Sequence, residues 1–147
     1  MTMDRRRLFA ILTLGLAGPA VAQQVVNPAK PAVRKQRVIF QVSDNDPGKW
    51  SLALNNAKNV QTDLGKDKVQ IEIVAYGPGL GMLKSDSKVA DRLAGALDDS
   101  VGLIACENTM HQTKVTRDRM YDGIAYVQAG VTHIMKRQQE GWAYIRP

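Results

Sequence analysis

Val69-Gln70-Ile71-Glu72-Ile73-Val74-Ala75 runs into Gly77-Pro78-Gly79-Leu80-Gly81, and the reading of this junction decides the fold. The β-branched run suits a buried strand. The glycines that follow impose a sharp turn, after which the period changes from strand to helix. A helix is predicted at about Lys88–Leu97, with Val89, Leu93, Ala96 and Leu97 in its stripe. A second apolar run, Val101–Ala105 (VGLIA), then reads as another strand. On the N-terminal side, Val38-Ile39-Phe40-Gln41-Val42 is a strand broken by Ser43-Asp44-Asn45-Asp46-Pro47-Gly48. Asp46 is placed to cap the next helix, and Pro47 to open it where a missing N–H costs nothing. That helix carries Trp50, Ala53, Leu54, Ala57, Val60 and Leu64 along one face and stops at Gly65.

Beyond Ala105 the reading continues with a polar loop, Cys106–Met110, and a short helix near Thr116–Asp122 ended by Gly123. A brief strand, Ile124–Val127, precedes a helix over Val131–Gln139 with Val131, Ile134, Met135 and Gln138 as its stripe. Trp142–Ile145 closes the chain as an edge strand. Strands alternating with crossovers of this length predict an α/β fold: three layers, α/β/α, around a five-stranded, mainly parallel sheet. Functional groups in such sheets gather beyond the carboxyl ends of the strands. Three segments fall there: Ser43–Asp46, Gly77–Gly81 and Cys106–Met110.

The N-terminus reads as an address. Arg5-Arg6-Arg7 precedes an uncharged stretch, Leu8–Ala22, that contains Gly15, Gly18 and Pro19. It is too short and broken for a span of about 20 apolar residues. Ala20-Val21-Ala22 supplies the small residues a signal peptidase accepts, and Arg6-Arg7-Leu8-Phe9 fits the twin-arginine pattern. The expectation is a cleaved twin-arginine signal over residues 1–22, a flexible leader over 23–36, one domain over 37–147, and a periplasmic location. Removing Asp4 and the three arginines lowers the net charge from +6 to +4. Most of the remaining basic excess lies in the leader, at Lys30, Arg34 and Lys35, with Arg37 just beyond. A nucleic-acid footprint needs a basic face with interleaved aromatics, so that class is excluded. No membrane contact is expected after cleavage.

One cysteine and two histidines exclude an intrachain disulfide and a cysteine-rich metal centre. The glycine loop misses the dinucleotide fingerprint, because Met82 stands where the last glycine is required and Pro78 removes an N–H. Asp44 and Asp46 resemble an acidic magnesium pair, but the third-strand aspartate that such a site needs is replaced by Cys106; turn and cap chemistry explain them. Cys106, Met110 and His111 lack the second histidine on another segment that a copper site requires, and His133 reads as a surface or packing residue. Cys106 itself is the informative residue. A lone thiol in an oxidising compartment is used or well hidden, and backbone N–H groups of the following turn can stabilise its thiolate. Glu107 would oppose that if its carboxylate pointed at the sulfur.

Gly77-Pro78-Gly79-Leu80, Ile104-Ala105-Cys106-Glu107-Asn108-Thr109-Met110, Ala129-Gly130-Val131 and the ending Glu140-Gly141-Trp142-Ala143-Tyr144-Ile145-Arg146-Pro147 together resemble the DsrE/DsrF-like family, in its small single-domain branch. The resemblance covers about Arg37–Pro147. It implies a homotrimer or homohexamer and a cysteine, here Cys106, that carries sulfane sulfur as a persulfide. In that expectation Cys106 is the catalytic residue. Gly77, Gly79 and Gly81 wall the pocket, and Asn108 with Thr109 orients the terminal sulfur. The partners are sulfur donor and acceptor proteins or small sulfane-sulfur compounds, and no metal or organic cofactor is required. The alternative is a non-enzymatic oligomeric binding or interaction module in which Cys106 is structural.

Overall fold

The computed structural model describes residues 34–147. The signal over 1–22 and most of the leader over 23–36 lie outside the described residues. Five strands, β1 (Gln36–Val42), β2 (Val69–Ala75), β3 (Gly102–Cys106), β4 (Ala125–Val127) and β5 (Ala143–Ile145), form one sheet in the order β4-β3-β2-β1-β5. Every pairing is parallel, so the fold is α/β with an all-parallel sheet. The helices are α1 (Pro47–Leu64), α2 (Ala90–Asp98), α3 (Glu107–Thr113) and α4 (Gly130–Gln139).

The strand order determines the layers. From β1 to β4 each crossover moves one place in the same direction, and right-handed connections then put α1, α2 and α3 on one face. The step from β4 to β5 runs back across the whole sheet. The same handedness puts α4 on the other face. The packing follows this division. Phe40, Ile71, Ile73 and Leu103 meet Trp50, Ala53, Leu93 and Met110 in the larger core, while Ile39, Val74 and Ile104 meet Ile134 and Trp142 in the smaller one.

Local signals behave as read where the chain carries them. Asp46 accepts from the backbone N–H of Gly48 at 2.8 Å and Lys49 at 3.3 Å, Pro47 opens α1, and Gly65 ends it with φ 93°. On α1 the last buried position is Gln61 rather than Leu64, which is exposed. Gln61 turns inward because its Nε2 donates to the Asp99 carbonyl at 2.6 Å.

Four expectations change. The segment after β3 is no loop: α3 begins at Glu107, directly after the strand, and Arg117–Arg119 is a single 3₁₀ turn where a helix was expected. The glycine turn is itself a 3₁₀ helix, Gly77–Leu83. On α4 the buried positions are Gly130 and Ile134, whereas Val131 and Met135 are exposed. The expected stripe fails because α4 directs His133 and Arg137 inward.

Glu72 draws those two side chains in. It lies in the middle of β2, 6% exposed, on the α4 face. His133 Nε2 approaches its Oε2 at 2.7 Å, and Arg137 grips both oxygens, Nε at 3.0 Å and Nη2 at 2.7 Å. A buried carboxylate without such partners would be costly. The Arg137 guanidinium also stacks over the Trp142 ring, 4.8 Å from its centroid, which ties the smaller core to β5.

Candidate functional site

Cys106 is the last residue of β3 and the N-cap of α3. Its register partner is Val127, the last residue of β4. The helix after β3 lies on one face of the sheet and the helix after β4 on the other, so the two strand ends diverge into a crevice. This is the topological switch point where parallel sheets place their ligands. Side chains alternate along β3, and Ile104 belongs to the α4-side core, so Cys106 points to the α4 side as well.

The thiol is 5% exposed. Burial pushes its pKa up. Against this, the Thr109 hydroxyl and the backbone N–H groups of Gly130 and Thr109 lie beside the sulfur, with a lesser share from the Asn108 N–H, which is also bonded to the Gln128 carbonyl, and together they hold it below the ordinary thiol value. Three of these donors come from α3's first turn and one from the start of α4. Convergent donors of this kind favour the thiolate over the thiol. The sulfur also lies 3.8 Å from the Gln128 carbonyl, an acceptor suited to the protonated thiol.

Thr109 links Cys106 to the glycine turn. Its Oγ1 accepts from the Gly77 N–H at 2.9 Å, which leaves the hydroxyl proton for sulfur. Gly77 therefore reaches the site through Thr109, in a backbone with φ 53° that favours glycine. Gly79 and Gly81 pack elsewhere, against the Val42–Ser43 backbone and the Trp50 ring. Asn108 holds Gln128 twice: its N–H donates to the Gln128 carbonyl at 3.0 Å, and its Oδ1 accepts from Gln128 Nε2 at 2.6 Å. Its side chain thus braces the β4–α4 turn beside the sulfur.

Glu107 is tied to Arg117, with Oε1 2.5 Å from Nη2, and Arg117 stacks over Tyr126 at 4.2 Å. Its carboxylate is held in that pair. Asp44 pairs with Lys49 at 2.9 Å and Arg146 at 3.3 Å, which hold its carboxyl below the usual range. His111 is exposed on α3. Among the described residues, no cluster of three His, Cys, Asp or Glu side chains could hold a metal ion.

The contributors differ in how visible they are in the sequence. Glu72 was detectable, because a carboxylate inside an apolar strand demands partners, yet nothing local named His133 and Arg137. Gly130 and Gln128 act through backbone atoms and leave no such mark. A Cβ at Gly130 would lie 3.1 Å from Tyr76 Cβ and 3.2 Å from both Tyr76 Cδ1 and Val74 Cγ1. The bare backbone lets the start of α4 come close to the ends of β2 and β3. Gly130→Ala is expected to push that end of α4 outward, at about 1 kcal/mol, and withdraw an N–H from the sulfur. The pH midpoint of Cys106 alkylation should rise and the rate at neutral pH should fall. An unchanged midpoint would show that Gly130 does not act on the thiol.

No protein-family model matches the chain, and no curated protein does. A solved structure, the protein of unknown function MTH1491 from Methanobacterium thermoautotrophicum, is similar at 36% identity with a TM-score of 0.73. The match covers 77% of this chain and 100% of that one. Identity at this level over the full length of the archaeal chain places the present protein in the same family as MTH1491.

Proposed function

We propose that the protein is an exported, sulfurtransferase-like carrier of sulfane sulfur, of the DsrE/DsrF-like kind, with Cys106 as the carrying residue. The observation that carries this reading is the position of the thiol: at the switch point, with donors from two helices that hold its pKa down. The Cys106 thiolate attacks the outer sulfur of a donor such as thiosulfate. The new bond is Sγ–S, the bond broken is S–SO₃, and sulfite leaves with the electron pair. The transferred sulfur remains sulfane sulfur, so no external oxidant is needed. An acceptor thiolate reverses the sequence. Thr109 and the convergent N–H groups stabilise the anion in both states. Access requires the exposed Gln128–Asn108 hydrogen bond to open.

The 5% exposure of Cys106 favours a second reading, a binding module in which the thiol is packed and inert. One experiment separates them. Intact-mass measurement of protein recovered from the periplasm, before and after thiosulfate or polysulfide, should show a chain starting at Gln23 and a gain of about 32 Da. A chain that keeps residues 1–22 would remove the export part. A chain that never gains mass would leave the binding module.

Assembly belongs to the same proposal. Val131 (61% exposed) and Met135 (50%) lie one turn apart on the outer side of α4, and β5 carries Tyr144 and Ile145, each 39% exposed, at the sheet edge. Light scattering on the mature chain is expected to give three or six protomers. A monomer at micromolar concentration would exclude the ring.

A further inference from the structure

A groove of about 400 Å³ runs between α4 and the edge strand β4, lined by Val127, Gln128, Ala129, Thr132, His133 and Lys136. One end is Gln128, the residue whose carbonyl lies 3.8 Å from the Cys106 sulfur. The other end is His133 and Lys136. Those are the groove's titratable side chains, and its lining contains no acid. The carboxylate behind His133, Glu72, is gripped through both oxygens by Arg137, and Glu140, one turn beyond Lys136, is paired with the same guanidinium at 2.9 Å. Both charges are therefore opposed before they reach the groove. Lys136 has no ion-pair partner among the described residues. From Gly130 to Lys136 the helix rises about 9 Å, close to the length of an extended tripeptide.

We propose that this groove binds the body of a low-molecular-mass thiol persulfide of di- or tripeptide size. The carboxylate end lies at Lys136, and the sulfane sulfur lies at Gln128, from where it reaches Cys106 when the Gln128–Asn108 hydrogen bond opens. The inference rests on the sulfur-carrier reading and names its donor. In the step itself, the Cys106 thiolate attacks the outer sulfur of RS–SH. The Sγ–S bond forms, the RS–S bond breaks, and the donor leaves as the thiolate RS⁻, with the proton remaining on the transferred sulfur. Thiosulfate, with a single S–S bond, is too short to span the groove and uses Cys106 alone.

The test compares two donors, glutathione persulfide and thiosulfate, by intact-mass titration of the mature chain. With Lys136→Ala, the glutathione persulfide concentration for half-loading is expected to rise about fivefold, the size of one partly exposed ion pair. Thiosulfate loading should stay unchanged, and Lys136→Arg should restore the glutathione persulfide curve. Superimposable curves for Lys136→Ala and the parent, or equal shifts for both donors, overturn the groove and leave the carrier standing. A parent chain that neither donor loads overturns the carrier reading, and the groove as a donor site falls with it.

Discussion

Cys106→Ser is expected to fold as the parent does and to lose all persulfide loading. Loss of loading follows from chemistry, since a hydroxyl does not form a persulfide under conditions where a thiolate does. Retention of the fold follows from the surroundings. The serine hydroxyl enters a space already furnished with the Gln128 carbonyl, 3.8 Å from the present sulfur, and with the Thr109 hydroxyl. A buried hydroxyl without partners would cost about 1–3 kcal/mol; with those partners the cost should stay near the lower end. A melting temperature within a few degrees of the parent, together with complete loss of the mass gain, is the expected pair of results. A parent that never loads and a serine variant that melts much lower would together return Cys106 to the core.

The pH dependence has a defined sign. The folded-state thiol titrates below its ordinary value because the convergent donors outweigh burial. The thiolate therefore appears at lower pH than in the unfolded chain, where the thiol titrates at about 8.5. Alkylation should accelerate below that pH in the native protein and lose this advantage on unfolding. A group with a depressed folded-state pKa stabilises the fold fully above the unfolded pKa, and that contribution is lost as pH falls through the folded one.

Gly79→Ala is expected to be the most damaging single-methyl substitution in the glycine turn. A Cβ at Gly79 would lie 2.3 Å from the Val42 carbonyl oxygen, 2.6 Å from its carbon and 2.8 Å from Ser43 Cα. All three are backbone atoms at the end of a central strand, so no side chain can swing away. Overpacking costs about 1–3 kcal/mol where neighbours can adjust; here the cost should reach or exceed the top of that range and lower the melting temperature by roughly 10 °C. Gly77→Ala provides the contrast. Nothing lies within 4 Å of its Cβ position, and its cost is the positive φ of 53°, about 1–2 kcal/mol. Thermal unfolding of the two variants checks the ranking, and a Gly79→Ala protein as stable as the parent would contradict the close approach.

The glycine turn also shows how far the sequence could be read. Its glycines were expected to wall a pocket, and each in fact has a different physical role, with positive φ at Gly77, backbone contact at Gly79, and room for the Trp50 ring at Gly81. Only the neighbours distinguish these roles. The helix after Cys106 is a similar case. Glu107–Thr113 (ENTMHQT) buries only Thr109 and Met110, too few positions to leave an amphipathic period. A helix was therefore expected some ten residues later, where the chain makes only a 3₁₀ turn.

By itself the sequence determined the parallel α/β architecture, the bounds of β2, and both ends of α1, because those features rest on signals within a few residues: Asp46 on its own first turn, Gly65 at its own terminus, and a β-branched run buried on both faces. It also marked Cys106 as the residue of interest. Tertiary structure alone decided that α4 crosses to the opposite face, that Gly130 and Gln128 come to the sulfur from more than 20 positions away, and that Glu72 is gripped by Arg137 across 65. These are long-range pairings of backbone atoms and isolated charges. They leave no local period, and they exist only once the β4–β5 crossover has closed over the sheet.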